Sequence, residues 1–471
     1  MAPQYSPRDL PVRRIPSRKK QIISPLSLTI GIFVGAALFG LARTLPNLLF
    51  PNQFSSRANV LLSAGKDTPP PSDLVAGSGD RVRGANYRSI DELARSLDYQ
   101  GNSVAELAAL LSRFAITPAE KARAIYTWIA YHINYDVSGF LRGNYGDTSP
   151  SAVLSSRSTI SAGYANLYQA LAKEMGLDTA SIAGYARGSD YLVGNPDAIN
   201  HVWNAVKIEN AWYLVDPTWG AGTVNGENFQ ASFNPYYFAT PPEQLIYSHF
   251  PVRSPWQLLS QAYTKEQFDS LPSVSSNFFA DGLELVSPRD RDLATNGSAE
   301  IRLRVPVDTL ISARIQQNST PLNDKYLLIQ QKNGEATIQA AFPAPGTYEL
   351  QIFSKRRSDE SLLQRSLAYR VTAGASGAAF PKIFAGFSDN NAYLYNPTAG
   401  QLPAGQIVPF GIEVPNALEV AVIDGASGKW TPLTRSGSAF VGNVSIGTGK
   451  VALAAKFPGN DDYTTLLEYN N

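Results

Sequence analysis

The spacing of hydrophobic residues changes midway along the chain. Between residues 90 and 176, apolar positions recur every three or four residues, which is typical of amphipathic helices. From about residue 278 onward, apolar and polar positions alternate, with turn residues about every 8–12 positions, which is typical of β-sandwiches. The pattern therefore predicts an α+β region followed by an all-β region.

Helical periodicity predicts four helices in the first region. They cover residues 90–97, 104–114 and 117–135, and a fourth lies within residues 154–176. The third opens with residues 117–120 (TPAE), which combine a capping box with proline at the first helical position. His132 follows Trp128 by one helical turn on the apolar stripe, so we assign this histidine a structural role.

Candidate chemistry lies in a hairpin and at the start of the fourth helix. Residues 200–222 are interpreted as two strands joined at Glu209-Asn210, and this register makes His201 and Asp216 diagonal neighbours on one face. Ser161 lies in a first helical turn, where unpaired N–H groups and the helix dipole stabilise an anion. Nucleophile, base and orienting carboxylate form a triad in this arrangement. A capping serine and a core hairpin would explain the same residues.

An uncharged stretch near the N-terminus has the length of a transmembrane helix. Residues 22–41 contain no charge, and six basic residues precede them within residues 1–20. This asymmetry predicts a membrane protein with one N-terminal transmembrane helix, a cytoplasmic N-terminus and extracytoplasmic C-terminal domains. A cleaved signal peptide and a buried core helix are the alternatives.

The predicted anchor divides the N-terminal region into three parts. They are a basic cytoplasmic tail (1–20), the anchor (21–43) and a tether rich in Pro, Gly and Ser (44–86). Prolines 69–71 would stiffen the tether, and we expect it to contribute nothing to a folded core.

Composition narrows the chemistry further. The chain has 471 residues, a net charge of +1 and no cysteine, which excludes disulfides, thiolate-ligated metals and any catalytic thiol. No basic patch beyond the tail resembles a nucleic-acid site, so we expect no nucleic acid as a partner. The three histidines are widely separated in sequence and no metal or phosphate motif occurs, so we expect neither a metal nor a cofactor.

Five ordered motifs resemble the transglutaminase-like superfamily, a papain-related fold. The resemblance is closest to the branch that includes kyphoscoliosis peptidase and a fungal cytokinesis protein, and it predicts such a domain over residues 87–270. The motifs are AIYTWIAYHINYD (124–136), ISAGYA (160–165), NHVWNAV (200–206), WYLVDPTWG (212–220) and YSHFP (247–251) with WQLL (256–259).

The resemblance assigns roles residue by residue. The family has a nucleophilic cysteine two positions before Gly-Tyr-Ala, and this position falls on Ser161, whereas the family's histidine and aspartate fall on His201 and Asp216. His249 lies in the family's His-Phe-Pro stretch, where we assign it a structural role. Substrate-binding candidates, for which core packing is the alternative, are Tyr164, Trp203 and Trp219.

Three functions are compatible with a serine at the family's cysteine position. A catalytically silent pocket could still bind polypeptide or cell-wall peptide as a scaffold in the cell envelope, a pseudoenzyme in the sense of the family. A serine-dependent amidase or peptidase could use Ser161, His201 and Asp216. The third possibility is a purely structural domain.

An internal repeat predicts two immunoglobulin-like sandwiches in the all-β region. Residues 300–306 (EIRLRVP) align with residues 409–415 (PFGIEVP), and each is followed by an alternating strand. A later glycine and three alternating positions recur from Gly346 and from Gly449. The predicted sandwiches cover residues 278–373 and 379–471, and the resemblance extends weakly over both.

Overall fold

The computed structural model describes residues 68–72, 74–77, 82–187 and 199–471. The predicted basic tail and the predicted span at residues 22–41 lie outside these residues. Within the described residues, no helix combines the length and apolar character needed to cross a bilayer. The described residues all fall within one compact unit, Arg57–Asn471.

The first region is an α+β domain. Its helices are α1 (Arg88–Ser96), α2 (Val104–Leu111), α3 (Pro118–His132), α4 (Val137–Arg142), α5 (Pro150–Ser156), α6 (Ser161–Glu174), α7 (Pro217–Ala221), α8 (Pro242–Leu245) and α9 (Lys265–Ser270), with 3₁₀ turns at Pro235–Tyr237 and Ser254–Gln257. Its strands are β1 (Asn134–Tyr135), β2 (Ser158–Thr159), β3 (Thr179–Ala186), β4 (His201–Ile208), β5 (Ala211–Val215), β6 (Gly222–Asn225), β7 (Asn228–Ala231), β8 (Phe238–Thr240) and β9 (His249–Pro251).

A five-stranded antiparallel sheet organises this domain, in the order β8-β5-β4-β3-β9. Helix α6 packs against β3 and β4 and contacts α2 and α3 on its other sides. The core holds the largest aromatic side chains, including Trp128, Tyr164, Tyr168 and Trp203. The sheet and α6 therefore fix the relative positions of Ser161 and the hairpin residues.

Local signals in the sequence explain where two of the helices begin. Thr117 and Glu120 form the predicted capping box at α3, with Thr117 accepting from the Glu120 backbone N–H and Glu120 accepting from the Thr117 N–H. The fourth predicted helix is confirmed with Ser161 in its first turn, since α6 covers Ser161–Glu174. The residues before it form helix α5, which ends at Ser156, and strand β2, which pairs with β1.

The predicted tether is wrong for its C-terminal part, which contacts the folded domain. Trp212 donates its N–H to the Val75 carbonyl (2.8 Å), and the Gly77 N–H donates to the Trp212 carbonyl (2.9 Å). Strand β8 pairs only with the later residues of β5, so this backbone edge at Trp212 is open to another segment. Val82 is buried in the core. The unpaired edge of β5 is the physical reason that a proline-rich segment becomes ordered here.

Sandwich 1 follows directly and starts earlier than predicted, because β10 pairs with β19. Its helix is α10 (Ser276–Ala280), and a 3₁₀ turn lies at Asp324–Tyr326. Its strands are β10 (Ser273–Val274), β11 (Glu284–Ser287), β12 (Asp292–Thr295), β13 (Ser298–Arg304), β14 (Thr309–Gln317), β15 (Thr320–Pro321), β16 (Leu327–Lys332), β17 (Glu335–Ala341), β18 (Gly346–Arg356) and β19 (Gln364–Ala373). Its sheets have the orders β10-β19-β18-β14-β15, with β12 beside β19, and β11-β13-β17-β16.

Sandwich 2 repeats this architecture. It contains helix α11 (Ala385–Asp389) and strands β20 (Lys382–Ile383), β21 (Tyr393–Asn396), β22 (Ile407–Glu413), β23 (Glu419–Asp424), β24 (Trp430–Pro432), β25 (Thr434–Ser436), β26 (Ala439–Ser445), β27 (Val451–Lys456) and β28 (Tyr463–Tyr469). Its sheets have the orders β20-β28-β27-β23-β24 and β21-β22-β26-β25. The repeat seen in the sequence maps β13 onto β22, β14 onto β23 and β18 onto β27, which occupy equivalent places in their sheets.

Candidate active site

Asp216 lies at the point where the predicted hairpin turns into a helix. The predicted register is confirmed over the strands, with Ile208 opposite Ala211 and Asn204 opposite Val215. Continued beyond these strands, the same register would set Thr218 opposite His201, but the chain leaves β5 at Val215 and Asp216 caps α7. One carboxylate oxygen, Oδ1, accepts the backbone N–H groups of Thr218 (2.9 Å) and Trp219 (3.1 Å).

The second oxygen of the same carboxylate is shared by two histidines. Nε2 of His201 lies 2.8 Å from Asp216 Oδ2, and Nε2 of His249 lies 3.0 Å from it. All three side chains are buried. The predicted histidine–carboxylate pair is thus present, and His249 joins it.

Hydrogen bonding assigns the protons of this group. Ser248 Oγ lies 2.8 Å from Nδ1 of His249 and 3.3 Å from the Leu245 carbonyl. When Nε2–H of the neutral ring donates to Asp216, the hydroxyl donates to Nδ1, the nearer of its two acceptors. Burial lowers the pKa of His249 below its ordinary value, more strongly than the Asp216 carboxylate raises it. His249 is therefore a neutral donor to the carboxylate.

The Asp216 carboxylate stays ionised despite its burial. Burial by itself raises the pKa of this carboxyl, but the charge and hydrogen bond of His201, and then the hydrogen bond from His249, outweigh that effect and hold the pKa well below its ordinary value. With four donors around it, the charge is spread over His201, His249 and the first turn of α7.

Ser161 is the first residue of α6 and is almost fully buried, with an exposed fraction of 2%. Because Nε2 of His201 is engaged by Asp216, Nδ1 is the ring nitrogen left for a nucleophile. The helix start therefore offers an N-terminal position of the kind that stabilises an anion.

The three aromatic candidates for substrate binding occupy different surroundings. Tyr164 is fully buried and donates its hydroxyl to the Ile133 carbonyl (2.6 Å), and Trp203 is also in the core. Trp219 is half-buried, and its ring centroid lies 5.7 Å from that of His201 and 4.5 Å from that of His249. Tyr164 and Trp203 therefore pack in the core, as the alternative interpretation holds. Ligand contact stays a prediction for Trp219.

The sequence indicates a structural role for His249 and does not predict its contact with Asp216. Strand β9 pairs with β3, setting His249 opposite Ala186, while His201 on β4 lies opposite Gly184. The two histidines thus approach each other across β3. No local periodicity reports this pairing, because β9 is three residues long and distant in sequence.

The expectation that the histidines are too far apart for any metal is wrong for two of them. The ligand atoms of His201, Asp216 and His249 all lie within 4.8 Å of one another, and this is the metal-capable group in the described residues. Hydrogen bonds between the rings and the carboxylate account for this proximity without an ion. His132 lies elsewhere, with Nδ1 2.8 Å from the Trp128 carbonyl and its ring stacked on Trp128.

Comparison with known families agrees with this architecture. The family model of the transglutaminase-like superfamily matches residues 105–217, and that of the KY-like, immunoglobulin-like domain matches residues 265–376. The first match ends just beyond Asp216, and the second covers sandwich 1.

Three relatives extend the comparison beyond these segments. Human kyphoscoliosis peptidase is 32% identical over 269 residues (56% of this chain, 40% of the relative). Hillarin of Drosophila melanogaster is 26% identical over 367 residues (74% of this chain, 42% of the relative). Cytokinesis protein 3 of Schizosaccharomyces pombe is 26% identical over 214 residues (44% of this chain, 24% of the relative). The chain thus spans less than half the length of each. It carries a transglutaminase-like domain followed by immunoglobulin-like β-sandwiches, and it is related to kyphoscoliosis peptidase.

Proposed function

We propose that the chain is a membrane-anchored scaffold of the cell envelope whose transglutaminase-like domain binds polypeptide and is silent as a thiol enzyme. The observation that carries the proposal is Ser161 at the start of α6, where the family resemblance calls for cysteine, in the same domain as an intact His201–Asp216 pair. On this proposal, the domain retains the shape of an enzyme site but lacks the catalytic thiol.

The chemistry of the two nucleophiles supports silence. A thiol with a pKa near 8.5 becomes a thiolate readily at a helix N-terminus, whereas a hydroxyl requires a strong base at the moment of attack. Here the Asp216 carboxylate also accepts a hydrogen bond from His249, so it does not serve His201 alone. Silence therefore rests on the weak acidity of the serine hydroxyl compared with a thiol.

The ligand class follows from the family's chemistry, which acts on polypeptide side chains or backbone amides. Trp219, half-buried beside both histidines, is the side chain we expect to contact a bound peptide. A polypeptide or a peptide of the cell wall fits this class. The proposed anchor would hold the folded domains outside the membrane, where such ligands occur.

A serine-dependent amidase or peptidase is the second candidate. The observation that favours it is the orientation of His201, whose Nε2 faces Asp216 and whose Nδ1 is left for a nucleophile. In this case Ser161 attacks the amide carbonyl, His201 takes its proton and returns it to the leaving amine, and water later releases the acyl group.

A serine-directed fluorophosphonate separates the two candidates. We expect no labelling of the purified wild-type protein, and we expect Ser161→Cys to gain reactivity with a thiol-directed iodoacetamide dye. Ser158→Ala, which alters an exposed serine close in sequence, is the matched control for labelling. Labelling of wild type that persists in Ser158→Ala and disappears in Ser161→Ala would establish the serine enzyme instead.

Membrane anchoring is the second part of the proposal and rests on the uncharged stretch at residues 22–41 with its preceding basic residues. A reporter enzyme that is active only in the cytoplasm, fused after residue 60, should be inactive in cells. An active reporter would contradict the orientation. Recovery of the full-length chain in the washed membrane fraction tests retention of the anchor against cleavage of a signal peptide.

A further inference from the structure

The two sandwiches meet at a corner that encloses a polar cleft of about 590 Å³. We define the corner cleft by the side chains of Glu300, Arg302, Thr337 and Gln339 on its floor and of Tyr393 and Tyr395 on its wall. The floor belongs to β13 and β17 of sandwich 1, and the wall belongs to β21 of sandwich 2. This volume lies within the range of small-molecule sites, about 300–1,000 Å³.

The floor is the outer face of a sheet whose other face is core. Along β13, Glu300 and Arg302 are exposed while Ile301 and Leu303 are buried, as strand alternation requires. Pairing sets Glu300 opposite Gln339 and Arg302 opposite Thr337, so polar side chains lie side by side in rows. The floor is therefore a fixed grid of hydrogen-bonding groups.

The wall is held rigidly against this floor by two residues of β16. The buried side chain of Gln330 accepts the Leu394 N–H (2.6 Å) and donates to the Leu394 carbonyl (3.2 Å). Lys332 donates to Tyr395 Oη and to Glu413, both at 2.6 Å. Tyr395 Oη also lies 2.9 Å from Glu413 Oε2, so its ring is oriented before any ligand binds.

Two ion pairs hold most of the charges around the cleft. Arg302 pairs with Glu335 (3.2 Å) and Lys332 pairs with Glu413, while Glu300 accepts a hydrogen bond from the neutral amide of Gln339 (3.2 Å). An ionic ligand would have to compete with these pairs, whereas a neutral one adds hydrogen bonds around them. Gln339 Oε1 is buried without a hydrogen-bond partner in the described residues, so it can accept from a ligand hydroxyl once the Gln339 side chain turns toward the cleft.

Peptide ligands fit this surface poorly. Strands β13 and β17 are the two inner strands of their sheet, so the floor offers side chains and no free backbone edge for strand addition. The edge strands β16 and β21 also border the cleft, but there the Gln330 side chain already bonds the N–H and carbonyl of Leu394. What the cleft offers is two tyrosine rings beside planar amide, guanidinium and carboxylate groups. The ring centroids lie 5.1 Å apart with their planes inclined at 57°, and the Lys332 ammonium covers one side of both rings. Planar groups bond pairs of adjacent hydroxyls, and an aromatic face packs against the C–H face of a sugar ring.

We propose that the corner cleft binds a neutral oligosaccharide, with Tyr393 and Tyr395 as the stacking surface and Gln339, Arg302 and Glu300 as the hydroxyl-binding row. The inference is independent of the proposed function, since the cleft lies entirely in the sandwiches. Variants of Ser161 are accordingly expected to leave it unchanged.

Titration calorimetry of the purified full-length protein against cellopentaose, maltopentaose and chitopentaose tests the proposal. We expect at least one of these uncharged glycans to bind with a Kd below about 1 mM. Tyr395→Ala and Gln339→Ala should each weaken this binding at least tenfold, and Tyr395→Phe, which keeps the ring, should weaken it less than Tyr395→Ala does.

The matched control is Trp430→Ala, which removes an exposed aromatic side chain from another face of sandwich 2. It should leave the affinity unchanged. The proposal is overturned if none of the three glycans binds, if Trp430→Ala weakens binding as much as Tyr395→Ala, or if tetragalacturonate, an anionic glycan, binds more tightly than all three.

Discussion

At the scale of single residues, Asp216 determines what the candidate site can do. Its carboxylate accepts hydrogen bonds from two backbone N–H groups and two imidazoles, all buried together. Removing any one donor leaves the other three, so the carboxylate is the common acceptor of four hydrogen bonds rather than one half of an isolated pair. His249 is neutral because burial lowers its pKa more strongly than this carboxylate raises it, and its titration couples the site to pH.

We predict that protonation of His249 contributes to acid destabilisation. Its pKa is lowered in the fold, so as pH falls the unfolded chain takes up the proton first, and stability is lost as pH drops below about 6.5. In His249→Gln this contribution disappears, and the slope of unfolding free energy against pH between 7.5 and 5.5 should be smaller by up to about 1.4 kcal/mol per pH unit.

Urea denaturation at pH 7.5, 6.5 and 5.5 measures this slope. His132→Gln is the comparison variant, because burial lowers the pKa of both histidines but His132 is only half-buried whereas His249 is fully buried. We expect it to flatten the slope less. Equal slopes in wild type and His249→Gln would refute the neutral assignment of His249.

At the scale of elements, the sequence predicts what depends on neighbours along the chain. The capping box of α3 and the two-residue loop at Glu209-Asn210 are local signals, and both are confirmed. The proximity of His201 and Asp216 follows from that register. The contact between His249 and Asp216 does not follow from it, because that contact requires β9 to pair with β3, a strand far away in sequence. Likewise, no local signal predicts that residues 74–77 bind along the open edge of β5.

We predict that Gly77→Ala detaches this segment from the sheet edge. A Cβ at Gly77 would overlap the ring of Tyr213, so the backbone at residues 75–77 must move away from β5. The Trp212 N–H, which donates to Val75, should then exchange with deuterium at least tenfold faster.

Hydrogen exchange followed by mass spectrometry over a peptide containing Trp212 gives the readout. Gly374→Ala serves as the control, since a Cβ there meets no atom closer than 3.6 Å. Unchanged exchange at Trp212 in Gly77→Ala would mean that the ring of Tyr213 moves instead of the segment.

At the scale of the whole molecule, the internal repeat predicts two sandwiches of one topology but not how they meet. The aligned positions of β18 and β27 are buried in both, as alternation requires: Tyr348, Leu350 and Ile352 in one, Val451, Leu453 and Ala455 in the other. Their junction includes the buried side chain of Gln330, which bonds to Leu394. No pattern within β16 predicts that this polar residue is buried. Contacts between domains join outward-facing residues, and periodicity identifies only the inward-facing ones.

We predict that Gln330→Ala loosens this junction. The variant leaves the N–H and carbonyl of Leu394 without their partner, at a cost of about 1–3 kcal/mol. Small-angle X-ray scattering should show a larger radius of gyration, and sandwich 2 should unfold at a lower urea concentration. Gln331→Ala, which changes the exposed neighbour on the same strand, should match wild type in both measurements. A Gln330→Ala protein indistinguishable from it would show that other contacts hold the corner.

The confinement of every strand partner to its own sandwich bears on how the chain folds during synthesis. Sandwich 1 has all its strands once Ala373 has left the ribosome, and none of its sheet pairings waits for sandwich 2. The floor of the corner cleft therefore forms first and stays open until β21 is translated and docks on Gln330. A nascent chain that stalls between the two sandwiches displays this polar floor without its tyrosine wall, so a ligand that needs both surfaces would bind only after β21 has docked.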